Sequence, residues 1–224
     1  MAEGLRLVPR REVVAADKTN AHTYDEGVQA VEHSLNDLDT EYVDVMFLHI
    51  VPPEPVERRD AAGRPYVSGP LSRRMGALNA FMDVKETGTV RATALSTPST
   101  ETLRQALGVP EIDVVCTTLN MTGAYIDDGT LDNRIDAIRD LHDDGRFLYV
   151  IKILDAGRLR DRAEEAIRYA PVPQVHRRLE HRHVRHGGRP QEPTAPRRRP
   201  PVGSASFISG RSELKLGSPS LGVP

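Results

Sequence analysis

Along the first 170 residues, two hydrophobic patterns alternate. Short apolar runs rich in β-branched residues recur at 13–16, 43–48, 90–95, 112–117 and 147–154. Each has strand length and is apolar almost throughout, as strands covered on both faces are. Between them, apolar residues fall at spacings of three and four. Val28, Val31, Leu35 and Leu38 define one such helical face, and Thr23 with Glu26 predicts a capping box at its start. Further helices are predicted over 72–86, closed by Gly88, from Ser99 or Thr100 to Leu107, over 131–142, closed by Gly145, and over 162–170. Pro52, Pro53 and Pro55 break the chain into a loop expected to run to about Gly69.

A strand–helix unit thus repeats five times. Parallel neighbours need a long return, so this order predicts an α/β fold with a parallel sheet and helical crossovers. The units average roughly 32 residues, close to the roughly 31 of a complete eight-unit barrel. The expected fold is a partial TIM-type (β/α)8 barrel of about five units with a disordered C-terminal tail. An open doubly wound sheet is the alternative. Asp17-Lys18-Thr19-Asn20 is not the Gly-rich turn usual after the first strand of such a sheet. The expected organisation is an N-terminal remnant (1–11), a partial barrel (12–170) and a tail (171–224).

Composition sharpens the division. The net charge of −2 hides an asymmetry. Residues 1–170 carry 20 Lys and Arg against 29 Asp and Glu, net −9. Residues 171–224 carry 10 against 3, net +7, with nine of the 17 prolines and four of the eight histidines. The second stretch reads as a basic Pro/Arg-rich segment outside the fold. The one cysteine, Cys116, cannot form an internal disulfide, which fits a reducing cytoplasm. No apolar run has the length of a membrane helix or of a signal-peptide core.

In a parallel barrel, chemistry gathers where strands end and the following loops begin. The candidates there are Lys18, His49, Ser96 with Thr97, Asn120 and Lys152. Each also has a plain structural reading. Lys18 is a solvated loop lysine, His49 a hydrogen-bonded core histidine, Ser96 and Asn120 caps or turn residues, and Lys152 a rim lysine extending to solvent.

Three segments together carry a resemblance: residues 13–19 (VVAADKT), 34–38 (SLNDL) and 42–49 (YVDVMFLH). Residues 85–92 (KETGTVRA), 126–130 (IDDGT) and 151–154 (IKIL) extend it. In this order they resemble the aldo-keto reductase family, most of all a bacterial branch associated with iron–sulfur proteins, over about residues 10–170. The resemblance implies hydride exchange between NADPH and a small aldehyde or ketone, or the reverse reaction on an alcohol. It implies that Lys18 and His49 are catalytic. The lysine lowers the pKa of a tyrosine general acid, and the histidine orients and polarises the carbonyl. It implies cofactor contacts from Ser96, Thr97, Asn120 and Lys152. Thr97 stands where the family commonly has Asn, and Asn120 where it commonly has Gln; both keep hydrogen-bonding groups.

The family's catalytic Asp and Tyr belong to an earlier strand–helix unit, and none of the six tyrosines here matches that position. The expectation is a chain lacking the first two units and the last, with impaired turnover, through a misplaced start or a truncated gene. The switch to Arg, Pro, His and Gly after Ala170 reads as a change of reading frame. Sequencing the locus decides both. Nucleic acid is not an expected partner, since the tail offers only Phe207 for stacking. No metal is expected: the tail histidines lack Cys or carboxylate ligands at suitable spacing, and an iron–sulfur cluster needs about four cysteines. The rival reading is a non-catalytic barrel fragment acting as a binding or assembly module, self-associating through exposed sheet edges.

Overall fold

The computed structural model describes residues 2–60 and 62–170; the reading of 171–224 as a disordered tail lies outside them. A short helix, α1 (Ala2–Leu5), and a 3-10 turn (Arg10–Glu12) lead into β1 (Ala16–Thr19) and α2 (Tyr24–Leu38). There follow β2 (Val43–Leu48), β3 (Val56–Arg59), β4 (Pro65–Ser68) and α3 (Leu71–Glu86). Then come β5 (Val90–Thr97), α4 (Thr100–Leu107), β6 (Val114–Thr118), α5 (Leu131–Asp143), β7 (Phe147–Ile151) and α6 (Ala163–Tyr169).

Five strands form one sheet in the order β1-β2-β5-β6-β7, all neighbours parallel. Spatial order follows chain order without a reversal. A doubly wound sheet reverses at its switch point, whereas a barrel winds in one direction. The two faces of the sheet agree with the barrel. Met46, Leu48, Leu95, Val115 and Leu148 pack with helix residues such as Val31, Phe81, Leu103 and Leu141 in the main core. On the other face Val45, Phe47, Ala92, Ala94, Val114 and Cys116 pack among themselves, with no helix residue among them. Helices on one face and a strand-only cluster on the other make five units of a (β/α)8 barrel.

Local chemistry explains the segments quoted above. Thr23 and Glu26 form the capping box of α2. Asp44, 6% exposed, binds Arg10 at 2.7 Å and Arg91 at 2.9 Å and accepts from the Ala15 N–H at 2.8 Å. Both guanidiniums stack on Tyr42, 3.9 and 3.7 Å from its ring centre. Lys85 pairs with Asp113 at 2.5 Å, and Gly88 takes φ +79° after α3, a conformation that favours glycine. Asp128 accepts from the Thr100 and Glu101 N–H groups at the start of α4, at 2.7 and 3.1 Å. The contacts of Asp44, Lys85 and Asp128 each join two elements distant in sequence.

Several boundaries differ from the sequence reading: β5 runs on to Thr97, so Ser96 and Thr97 lie inside the strand, and β6 is Val114–Thr118 rather than 112–117. The first strand is Ala16–Thr19, not 13–16, and Val14 is 65% exposed. The ladder starts only where β2 supplies partners, at the Ala15 carbonyl, which accepts from Asp44 N and Val45 N. Lys18 is therefore inside the strand, not after it. The segment after β2 is not a plain loop but holds the antiparallel β3–β4 hairpin. Asp60 Oδ1 tightens its turn by accepting from Ala62 N and Arg64 N. The last strand stops at Ile151, because Lys152 turns to φ +65°, so Lys152 follows the strand.

Candidate functional site at the strand ends

Lys18, His49 and Ser96 lie on adjacent strands at the carboxyl end of the sheet. Lys18 faces Phe47 across the β1–β2 pair, on the strand-only face. The His49 N–H continues that pairing by donating to the Thr19 carbonyl at 2.8 Å. The next residue, Ile50, donates its N–H to Ser96 Oγ at 2.9 Å. Ile50 is β-branched yet holds φ +46°, a strained conformation that needs support from its surroundings. Ser96 supplies one support. Ser68 supplies another, donating from Oγ to the Ile50 carbonyl at 2.7 Å.

Arg74, fully buried on α3, fixes the same turn. Its guanidinium donates to the carbonyls of Thr19 (2.6 Å), Ala21 (3.0 Å) and His49 (2.8 Å). Burial pushes its pKa down to about 10, so it remains a cation at neutral pH. It has no carboxylate partner among the described residues.

His49 is half-buried. Burial first, then the charges of Lys18, Arg74 and Arg58, lower its pKa to about 4. The imidazole is therefore neutral at pH 7 and can meet a carbonyl oxygen or another polar group without carrying charge itself. Lys18 is exposed and has no ion pair among the described residues. Its charge also reaches Cys116, whose thiol burial pushes up to about 11.

The other candidates are placed differently. Thr97 is buried, donates from Oγ1 to the Val51 carbonyl at 2.6 Å and accepts from Ser99 N at 3.0 Å. Asn120 is buried and closes its own turn: Oδ1 accepts from Thr122 and Ala124, and Nδ2 donates to the Ala124 carbonyl. Both hold loops in place. Lys152 stands exposed, its ammonium 5.2 Å from the Tyr125 ring centre. Ser96 differs from Thr97 and Asn120: it accepts from Ile50, and its own O–H has no acceptor among the described residues.

Two residues of the rim escape the sequence reading. Arg74 looks like one charge on an amphipathic helix, and Arg58 like one in a polar loop. A cation four residues before an apolar helical position carries no local signal of burial. Among the described residues no group of three His, Cys, Asp or Glu could hold a metal, and no helix is long and apolar enough to cross a membrane.

A one-way parallel sheet backed by helices, with polar side chains collected at its carboxyl rim, defines part of a TIM-type barrel. The sequence matches the family model described as the aldo/keto reductase family over residues 1–189, and the chain belongs to that family. No curated protein matches it in sequence. Among solved structures it is similar to an aldo-keto reductase from Bacillus halodurans in its holo form, at 17% identity and TM-score 0.54, covering 70% of this chain and 46% of that one. It is also similar to an aldo-keto reductase enzyme from a Medee basin deep-sea metagenome library, at 15% identity and TM-score 0.51, covering 71% and 52%. A thermostable aldo-keto reductase complexed with the inhibitor epalrestat aligns at 18% identity and TM-score 0.53, covering 75% and 56%. The chain spans about half the length of these structures.

Proposed function

We propose that this chain carries part of the active rim of an NADP-dependent aldo-keto reductase acting on a small aldehyde, ketone or alcohol. The observation that carries the reading is the contiguity of Lys18, His49 and Ser96 at the ends of β1, β2 and β5, with His49 neutral and Lys18 without an ion pair among the described residues. NADPH, when bound, supplies a hydride to the carbonyl carbon, and the carbonyl oxygen gains a proton. A neutral His49 orients that oxygen through a hydrogen bond, which a protonated ring surrounded by cations would do at higher electrostatic cost. Lys18 is suited to holding down the pKa of a neighbouring phenol, as the family's lysine does.

The residues present fit the cofactor in part. Ser96 keeps an O–H to donate to a carboxamide oxygen, and the exposed ammonium of Lys152 suits a phosphate. Thr97 and Asn120 contribute by shaping the loops around that site. Since no tyrosine here matches the family's general acid, the 224-residue chain by itself is expected to bind NADPH but to reduce carbonyls weakly.

Fluorescence titration with NADPH tests this. Binding that weakens on Ser96→Ala and on Lys152→Ala supports the reading; no binding by the folded chain sinks it. Turnover above background, lost on Lys18→Met, would overturn the expectation of weak activity.

A second reading, a non-catalytic assembly module, is favoured by one observation. Phe147 and Tyr149 on the edge strand β7 are 37% and 55% exposed, and Tyr149 pairs in register with Cys116 of the strand-only face. Size-exclusion chromatography separates the readings: a monodisperse oligomer that binds no nucleotide favours the module.

A further inference from the structure

Two side chains clasp the base of the β3–β4 hairpin. Ser68 Oγ donates to the Ile50 carbonyl at 2.7 Å, which brings the two ends of the excursion together. The next N–H, of buried Gly69, donates to the ring nitrogen Nε2 of His22 at 3.1 Å. His22 lies in the loop between β1 and α2, 47 residues earlier in the chain. The approach is close: a Cβ on Gly69 would stand 2.9 Å from Nε2 and 3.3 Å from Cδ2 of the ring. A backbone N–H only donates, so Nε2 carries no proton and the neutral ring holds its proton on Nδ1.

The backbone that carries this ring is fixed by other bonds. The His22 N–H donates to Glu26 Oε2 at 2.7 Å, and the Ala77 N–H of α3 donates to the His22 carbonyl at 3.1 Å. The Ala21 carbonyl accepts from buried Arg74. The loop therefore stays docked on α3 independently of the ring, and the bond to Gly69 is the contact that a proton on Nε2 removes. The charged groups that bear on the ring are Glu26 from α2 and Arg73 and Arg74 from α3; from the hairpin, Tyr66 bears on Arg74. Burial first, then Arg74, lowers the His22 pKa below its ordinary 6.5, with Glu26 opposing. The ring is thus neutral at pH 7 and free to accept.

We propose that His22 is a proton-sensitive latch on the base of the β3–β4 hairpin and, through it, a positioning residue for the turn that bears His49. A protonated imidazole presents N–H donors at both nitrogens and cannot accept from Gly69. The buried Gly69 N–H then faces a second donor, and the base of the hairpin opens. Ser68 adjoins Gly69, so its grip on the Ile50 carbonyl loosens as well. Ile50 holds φ +46° with support from Ser68 and Ser96, and His49 immediately precedes it. The folded pKa is lowered, so the latch is closed above pH 6.5 and opens as pH falls through the folded value. The latch stands on the contacts of the hairpin alone; its effect on turnover rests on the reductase reading.

NMR titration of the full, 15N-labelled chain from about pH 7.5 to 4 tests the proposal. At the upper end the His22 ring should carry its proton on Nδ1. As the ring protonates, solvent exchange of the Gly69 amide, corrected for its intrinsic rate, should accelerate roughly tenfold. The Ser68 and Ile50 amide signals should move with the same midpoint as the ring. His22→Gln supplies an acceptor of similar reach that does not titrate, so it should keep Gly69 protected throughout and abolish the midpoint. His22→Leu should leave Gly69 exchanging fast at every pH. Gly69→Ala, which crowds the ring away, should raise the His22 midpoint toward 6.5. A neutral ring with its proton on Nε2, a ring still neutral at pH 4, or Gly69 exchange that ignores the His22 titration overturns the proposal. So does a hairpin response that survives His22→Gln, or one that follows His49 at about 4. These signals need no cofactor, so they are separable from the reductase reading. A chain that binds no NADPH loses that reading and keeps the latch, and one without the latch still binds NADPH at pH 7.5.

Discussion

Arg74 donates from Nη1 to the carbonyl oxygen of His49 at 2.8 Å. This bond ties a helix on the outer face of the sheet to the turn that bears the candidate catalytic histidine. The same guanidinium holds the Thr19 carbonyl, one residue beyond Lys18. One buried cation thus sets the relative position of the two residues that the family resemblance marks as catalytic. Arg74→Met should leave three carbonyls, one buried and two partly buried, without their donor and lower stability by on the order of 3 kcal/mol. Arg74→Lys should recover less than half, since an ammonium lacks the planar fork. Urea unfolding measures both, and a loss under 1 kcal/mol for the methionine variant would show that water replaces the guanidinium.

The pH response of the rim follows from His49. Its pKa falls from the ordinary 6.5 to about 4, through burial first and then the charge of Lys18. In the unfolded chain the ring takes up its proton near the ordinary value; in the folded chain it resists until about pH 4. The contribution to stability is therefore complete above about pH 6.5 and declines as pH falls toward 4. His49→Gln should flatten the thermal midpoint between those values relative to wild type. In an NMR titration of the ring, Lys18→Met should move the His49 midpoint upward; an unchanged midpoint would place Lys18 too far away to act on the ring.

Cys116 should be inert in the folded chain. Burial pushes its thiol up to about 11 from 9.0, so thiolate is roughly a hundredfold scarcer than in the unfolded chain. Iodoacetamide at pH 7.5 should leave the native chain unmodified for hours and alkylate it promptly in urea. Rapid native alkylation would mean that the strand-only face opens.

Gly27 marks the closest approach of α2 to α3. A Cβ there would stand 2.8 Å from Ala80 Cβ and 2.9 Å from Ala77 Cα. In an exposed helix Gly→Ala stabilises by about 1 kcal/mol, but here the helices must separate, and overpacking typically costs about 1–3 kcal/mol. Gly27→Ala should therefore lower the thermal midpoint. The double variant Gly27→Ala with Ala80→Gly should recover part of the loss, while a stabilised single variant would show that the helices move apart freely.

The sequence by itself determined the order of elements, and with it the parallel sheet and the barrel winding. Apolar runs of strand length and helical spacings are local signals, and they survive folding because the sheet buries those same residues. Thr23, Ser99 and Gly88 likewise act on neighbours a few residues away, so their roles are legible from spacing. Tertiary structure decided where β1 begins, since a strand starts where its partner offers hydrogen-bonding groups, and β2 lies about thirty residues further along the chain. It decided that 56–68 returns as an antiparallel hairpin pairing Val56 with Ser68. It also separated Ser96, whose O–H has no acceptor among the described residues, from Thr97 and Asn120, whose polar groups hold loops. For Ser96 and Thr97 the distinction depends on which donor meets which acceptor 46 residues away in the chain. Spacing along a sequence carries no record of such distances, because only packing of the helices against the sheet creates them.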